Sequence, residues 1–284
     1  MGDRGKTLKI FQVDAFTGTA FSGNPAAVCI LTEPLSDSLM QAVAAEMNLS
    51  ETAFLLPAAG REVDESSEFS LRWFTPRNEV PLCGHATLAT AAVLFDRYAV
   101  PYEAVSFATL SGKLIARLDG DRIVLDFPAD IPEPVETASL QPLFEAMGIA
   151  EITAVFRGKR TGKHVVHLPD RREISELQPD FGRMRAAAPE LTGIGVTAAG
   201  DGRYDFISRY FNPWFGVNED PVTGSVHTLL APYWAGQLGK NTLFAYQASA
   251  RGGEIRLDLR GDGRVDLAGP AVIVLQGELF LPEE

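Results

Sequence analysis

Cysteine is scarce in this chain. Only Cys29 and Cys83 occur among 284 residues, so no disulfide framework is expected and a reducing, cytoplasmic setting fits. Long apolar runs are also missing, and the longest fall far short of a membrane span. Positive charge is in deficit: 25 Lys and Arg stand against 37 Asp and Glu, for a net charge of -12. That balance argues against a nucleic-acid partner or an anionic membrane. It leaves room for a small anionic ligand, because backbone dipoles at a helix start oppose the global sign locally. There is no dinucleotide glycine fingerprint, no phosphate loop and no zinc signature, so no metal site is expected. His164 and His167 lie three apart on a strand-like stretch, on opposite faces, which is poor metal geometry. No targeting segment is read in Met1-Gly2-Asp3-Arg4-Gly5-Lys6, which leads straight into strand-like sequence.

What the chain does contain is a repeat. Arg72-Trp73-Phe74-Thr75-Pro76 runs on to Glu79-Val80-Pro81-Leu82-Cys83-Gly84-His85-Ala86. Arg209-Tyr210-Phe211-Asn212-Pro213 runs on, after three extra residues, to Asn218-Glu219-Asp220-Pro221-Val222-Thr223-Gly224-Ser225-Val226. Arg, an aromatic, Phe, a small polar residue and Pro keep their order, and Glu, Pro and Gly recur at 79/219, 81/221 and 84/224. Each copy runs into an apolar helical segment. Two related halves follow: an N-terminal lobe of residues 1–130, to which the end of the chain returns, and a C-terminal lobe of residues 131–284. The lobes are expected to meet near 128–150, where prolines cluster, with an active site in the cleft between them.

Local patterns fill in the elements. Lys9–Phe16, Ala26–Leu31, Glu51–Leu56 and Phe69–Phe74 read as strands. Ser36 is a good N-cap for a helix to about Asn48, with Leu39, Met40, Val43, Ala44 and Met47 at helical spacing. Gly84–Tyr98 is apolar on nearly every side, so it is a helix buried all round, most simply inside a curled sheet. Strands 104–110, 113–118 and 122–127 follow, with hairpin turns at Ser111-Gly112 and Asp119-Gly120-Asp121. The second half repeats the plan. Strands are expected at 154–156, 164–168 and 204–211, a helix over 174–187, and a second buried helix over 224–238. Gly239 is its C-terminal cap, and Pro232 should kink it or shift its start. The hairpin around Arg260-Gly261-Asp262-Gly263 mirrors the one at 119–121.

The two helix starts suggest chemistry. Their first N–H groups are unpaired and carry partial positive charge, and glycine at each lets a ligand approach the backbone. A small carboxylate suits such paired donors at Gly84-His85 and Gly224-Ser225. Glu51, entering an apolar strand, is either a partly desolvated acid/base or a solvated turn residue; on local sequence alone the solvated reading wins. His85 serves equally as a structural histidine or as a partner of substrate or Glu51. Asp220, taken alone, reads as a cap of the second helix rather than a second carboxylate. Cys83 reads as structural, since its repeat partner is Thr223 and no two-thiol pair exists.

Taken together, Phe11-Gln12-Val13-Asp14-Ala15-Phe16, Gly23-Asn24-Pro25-Ala26, Asn48-Leu49-Ser50-Glu51-Thr52-Ala53-Phe54, Cys83-Gly84-His85-Ala86-Thr87 and Glu219-Asp220-Pro221-Val222-Thr223-Gly224-Ser225 resemble the phenazine-biosynthesis PhzF-like family, which has the diaminopimelate epimerase-like fold. The resemblance implies an α+β chain of two lobes, each a curled, mostly antiparallel sheet around a central helix. It implies a cofactor-independent isomerase in which Glu51 moves a proton, with His85 and Asp220 as further catalytic positions and Gly84, Gly224, Ser225 and Asn24 binding a small carboxylated metabolite. A homodimer is implied by the resemblance alone. The epimerase relatives use one cysteine from each lobe; Thr223 stands where the second would be, which turns the expectation from two-thiol racemisation to a single glutamate acting as base, then acid. Two alternatives remain: a racemase or epimerase pairing Cys83 with another base such as Asp220, and a non-catalytic binding module.

Overall fold

The computed structural model describes residues 6–282. Met1–Gly5, where the absence of a targeting segment was read, lie outside the described residues. The chain divides into two compact units: residues up to Asp126 together with those from Ala268 on, and residues Phe127–Leu267. The chain passes between them at 126/127 and 267/268, so the proline-rich stretch 128–150 belongs wholly to the second unit.

The first unit contains strands β1 (Thr7–Ala15) and β2 (Asn24–Ile30), helix α1 (Asp37–Met47), β3 (Glu51–Pro57), β4 (Glu68–Phe74), β5 (Glu79–Val80), helix α2 (Gly84–Asp96), β6 (Ala104–Thr109), β7 (Gly112–Asp119) and β8 (Arg122–Pro128). α1 starts where the sequence asks: Ser36 accepts from Leu39 N, and Asn48 ends the helix in the left-handed conformation at φ 50°. Its Met40, Val43 and Ala44 pack on Leu8, Ile10, Ala27, Cys29, Phe54 and Phe74. Alternation along a strand sends Ala26 and Val28, also buried, to the other sheet face. α2 packs against β1, β2, β3 and β7, and every residue from His85 to Leu94 is buried. Its buried hydroxyls bond back one turn, Thr87 Oγ1 to Cys83 O at 2.6 Å and Thr90 Oγ1 to Ala86 O at 2.7 Å, so the helix needs no outside polar partner there.

The second unit contains β9 (Pro132–Pro134), α3 (Gln141–Met147), β10 (Ala154–Gly158), β11 (His164–His167), α4 (Arg171–Glu176), α5 (Phe181–Ala187), β12 (Ile194–Ala199), β13 (Phe206–Asn212), β14 (Val217–Glu219), α6 (Gly224–Leu238), β15 (Thr242–Gln247), β16 (Gly253–Leu259) and β17 (Arg264–Gly269). β18 (Ala271–Phe280) then completes the first unit by pairing antiparallel with β1.

The pairing pattern repeats strand for strand. In the first unit β1–β2 is antiparallel, β2–β3 parallel, β3–β4 and β4–β5 antiparallel, β4–β6 parallel and β6–β7 antiparallel. In the second, β10–β11, β11–β12, β12–β13, β13–β14, β13–β15 and β15–β16 follow the same sequence of directions. The free side of β1 is taken by β18; that of β10 is taken by β9. The fold is thus α+β, two pseudo-repeated curled sheets, each with a buried helix.

One local expectation is corrected and one is narrowed. The single helix over 174–187 is two short helices broken at Leu177–Asp180. The break has a cause: Arg209 Nη1 donates to the carbonyls of Ile174 and Leu177, both at 2.9 Å, and Asp180 caps the second piece by accepting from Arg183 N. Pro232 does not shift the start of α6, which runs unbroken from Gly224 to Leu238. The N–H that proline lacks would have bonded the carbonyl of Thr228; Asp130 N takes that carbonyl instead, at 3.0 Å. Among the described residues no helix is long and apolar enough to cross a membrane.

Candidate functional site

The repeated arginine and glutamate explain how each helix start is set. Arg72 grips Glu79 through two parallel bonds, Nε–Oε1 at 2.7 Å and Nη2–Oε2 at 2.8 Å, which pins β5 to β4 just ahead of α2. Arg209 grips Glu219 identically at 2.7 and 2.9 Å, ahead of α6. The third limb of each arginine ties an outer helix: Arg72 Nη1 to Asp37 in α1, Arg209 Nη1 to the carbonyls at the end of α4.

In the first unit, the parallel register sets Ala26 opposite Glu51 and so fixes Glu51 as the first residue of β3. Ser50 next to it is anchored, its Oγ donating to Asn24 Oδ1 at 3.1 Å and sharing the carbonyl of Pro25 at 3.2 Å. Asn24 is fully buried and helps hold the residue beside Glu51. Gly23 makes this possible: at φ 65° a Cβ would stand 2.2 Å from the carbonyl of Ala15.

Glu51 meets the start of α2. His85 Nε2 lies 3.2 Å from Glu51 Oε2, with the glutamate side chain 19% exposed and the imidazole 7%. On the other side of the ring, Nδ1 lies 3.5 Å from Cys83 Sγ. Burial pushes His85 down to about 3, so the imidazole is neutral at physiological pH. A neutral ring offers one N–H and one lone pair, and it stands between the thiol and the carboxylate. One carboxylate oxygen, the thiol sulfur and one ring nitrogen also lie within 4.8 Å of one another, a donor set suited to a metal ion. Cys83 is the N-cap residue but makes no side-chain cap bond, so the first amides of α2 are not closed off by it.

In the second unit, Thr223, not Asp220, is the N-cap of α6. Asp220 Oδ2 accepts from Thr223 Oγ1 at 2.7 Å, so it orients the cap residue. Gly224 is buried and Ser225 half-buried in the first turn. Sequence reasoning missed two residues here. Gln247, at the end of β15, accepts from Thr223 N at 2.9 Å and donates to Asp220 O at 2.7 Å, clamping the turn before α6. Lys163 donates to Tyr210 OH at 2.8 Å and sits 4.6 Å above that ring. Burial pushes the Lys163 amine down while the Asp220 charge pulls it up. No local pattern signals either residue, since each acts on a segment far along the chain. The chain therefore brings Glu51, His85 and Cys83 together in one unit, and Asp220, Thr223, Gly224 and Ser225 together in the other.

Comparison with known proteins agrees over nearly the full length. A family model described as phenazine biosynthesis-like protein matches residues 13–277. An uncharacterised isomerase of Pseudomonas aeruginosa is 49% identical over 274 residues, covering 96% of this chain and 99% of that one. A phenazine biosynthesis-like domain-containing protein of Bos taurus is 46% identical over 288 residues, with the same coverage of 96% and 99%. The crystal structure of a PhzF-family protein from Enterococcus faecalis superposes with a TM-score of 0.87 at 39% identity, covering 97% of this chain and all of that one.

Proposed function

Since the chain belongs to the phenazine biosynthesis-like, PhzF-type family, we propose that it is an isomerase that moves a proton between carbons of a small carboxylated substrate, with Glu51 as base and then acid and no cofactor. The observation that carries this reading is the contact of Glu51 with neutral, buried His85 at the start of α2. A neutral imidazole beside the carboxylate can steady either of its protonation states. One carboxylate suffices because it returns the proton it removed. Uncapped amides at Gly84 would stabilise charge developing on the substrate. At the start of α6, Gly224 and Ser225 offer helix-start amides suited to a carboxylate, and Asp220 is assigned an orienting role. Relatives named as isomerases support the reaction class. Thr223 in place of a second thiol weighs against two-thiol racemisation.

The test is deuterium uptake at carbon. Protein in heavy water is incubated with a dihydro-hydroxyanthranilate and a panel of small unsaturated and amino carboxylates, and exchange is followed by mass spectrometry. Wild type exchanges deuterium and Glu51→Gln does not. Exchange that survives in Glu51→Gln removes the glutamate from the role. Exchange that is lost on alkylating Cys83 but not on changing Glu51 selects a thiol-based epimerase instead.

A further inference from the structure

We propose that Glu51, Cys83 and His85 also form a capture site for a borderline-soft divalent cation of the zinc type, and that its occupation switches off proton transfer. The consequence rests on the function proposed above; the binding does not.

The donor set is mixed in the way zinc prefers: thiolate, imidazole and carboxylate, three protein ligands with a fourth position left for water or substrate. Its charges cancel. A thiolate and a carboxylate neutralise a doubly charged ion, and an imidazole binds a metal as the neutral ring. A buried site of zero net charge avoids the penalty that an unpaired ion would meet.

The spacing is close to what coordination needs. Bond lengths of about 2.0–2.3 Å at tetrahedral angles put donor atoms roughly 3.3–3.8 Å apart. Cys83 Sγ and His85 Nδ1 already stand 3.5 Å apart. Both residues are held by the start of a buried helix and are 6% exposed. One Glu51 oxygen, the Cys83 sulfur and one His85 ring nitrogen lie within 4.8 Å of one another, and the partly exposed Glu51 side chain, now on the Nε2 side of the ring, has to turn toward the Nδ1 side to join the other two. Binding converts the Cys83 thiol to thiolate and releases its proton to solvent. With Glu51 on the metal, the proposed base is no longer available to carbon. Cys29, fully buried with its thiol pushed far up by burial, cannot substitute.

The test uses tag-free protein and Co²⁺ as a spectroscopic stand-in for Zn²⁺. One equivalent produces thiolate-to-cobalt charge transfer in the near ultraviolet, intense visible bands of a four-coordinate ion, and release of about one proton at neutral pH. Cys83→Ser abolishes the charge-transfer band and Cys29→Ala keeps it. Glu51→Gln keeps the band but weakens binding at least tenfold. No charge transfer in wild type, or a band that survives Cys83→Ser, overturns the proposal. Should Cys83→Ser fail to fold, alkylation mass spectrometry on wild type decides: Zn²⁺ protects Cys83 and a chelator restores labelling, whereas equal labelling with and without Zn²⁺ overturns the site. The two proposals fail separately. Cobalt binding with exchange that persists in Glu51→Gln sinks the catalytic reading alone; Glu51-dependent exchange without cobalt charge transfer sinks the capture site alone.

Discussion

The two arginine clasps share a pattern but should differ in worth. Arg209 makes four charge-assisted bonds, two to Glu219 and one each to the carbonyls of Ile174 and Leu177. Its side chain is 12% exposed and that of Glu219 19%. Arg209→Met leaves a mostly buried carboxylate and two carbonyls short of a partner, for a cost of about 3 kcal/mol. Arg72 is 30% exposed, and its third bond goes to Asp37, itself 77% exposed. Water can replace those partners, so Arg72→Met should cost about 1 kcal/mol. In urea, with a slope near 2 kcal/mol/M, the Arg209 variant loses roughly 1.5 M of midpoint against about 0.5 M for Arg72. Its thermal midpoint falls on the order of 10 °C. A paired change, Arg209→Met with Glu219→Leu, should recover about half the loss, because the stranded charge goes with its partner. Equal midpoints for the two single variants, or a paired variant as weak as the sum of its parts, would refute the argument from burial.

Three further outcomes follow from the same geometry. His85 and His227 are buried and pushed down to about 3 and about 4, from an ordinary value of 6.5. The unfolded chain therefore takes up protons that the folded chain refuses: their contribution is intact above pH 6.5 and is lost as pH falls toward 4. Together they should cost up to about 3 kcal/mol per pH unit, and urea midpoints that stay level from pH 6 to pH 5 would contradict this. His227→Gln should remove about half of that slope. Gly158→Ala should destabilise by about 2 kcal/mol, because the new Cβ would stand 2.0 Å from Asp130 Oδ2, while Gly18→Ala, with nothing within 4 Å, should be near neutral; a pair of thermal melts compares them.

Much of the fold was legible because its signals are local. Ser36 and Asn48 bound α1, glycines and aspartates mark the hairpins, and a run this long that is apolar on nearly every side reads as a buried helix. The repeat was visible as a word order, though the reason for its arginine and glutamate was not, since a bidentate clasp is a tertiary fact. The break between α4 and α5 escaped for the same reason: the arginine that draws off those carbonyls lies beyond both helices in the chain. Pro232 was read as a disruption because the partner that satisfies Thr228 O, Asp130 N, comes from a remote segment. At the site, the local sequence around Glu51 favoured a solvated turn residue. Only the sheet register, which carries the start of β3 to the start of α2, brings that side chain to His85.

The partner of β1 bears on how the chain is made. β10 finds its flanking strand, β9, just upstream, so that edge can be closed as soon as the second unit emerges. β1 instead pairs with β18, which follows the whole of the second unit in the chain. Until the second unit has been made, that edge stands open, a strand that neighbouring nascent chains could capture. β18 thus acts as a latch on the first sheet. A chain stopped at Pro270 would keep all of its proposed catalytic residues, yet it would enter the cell with a permanently unzipped first sheet.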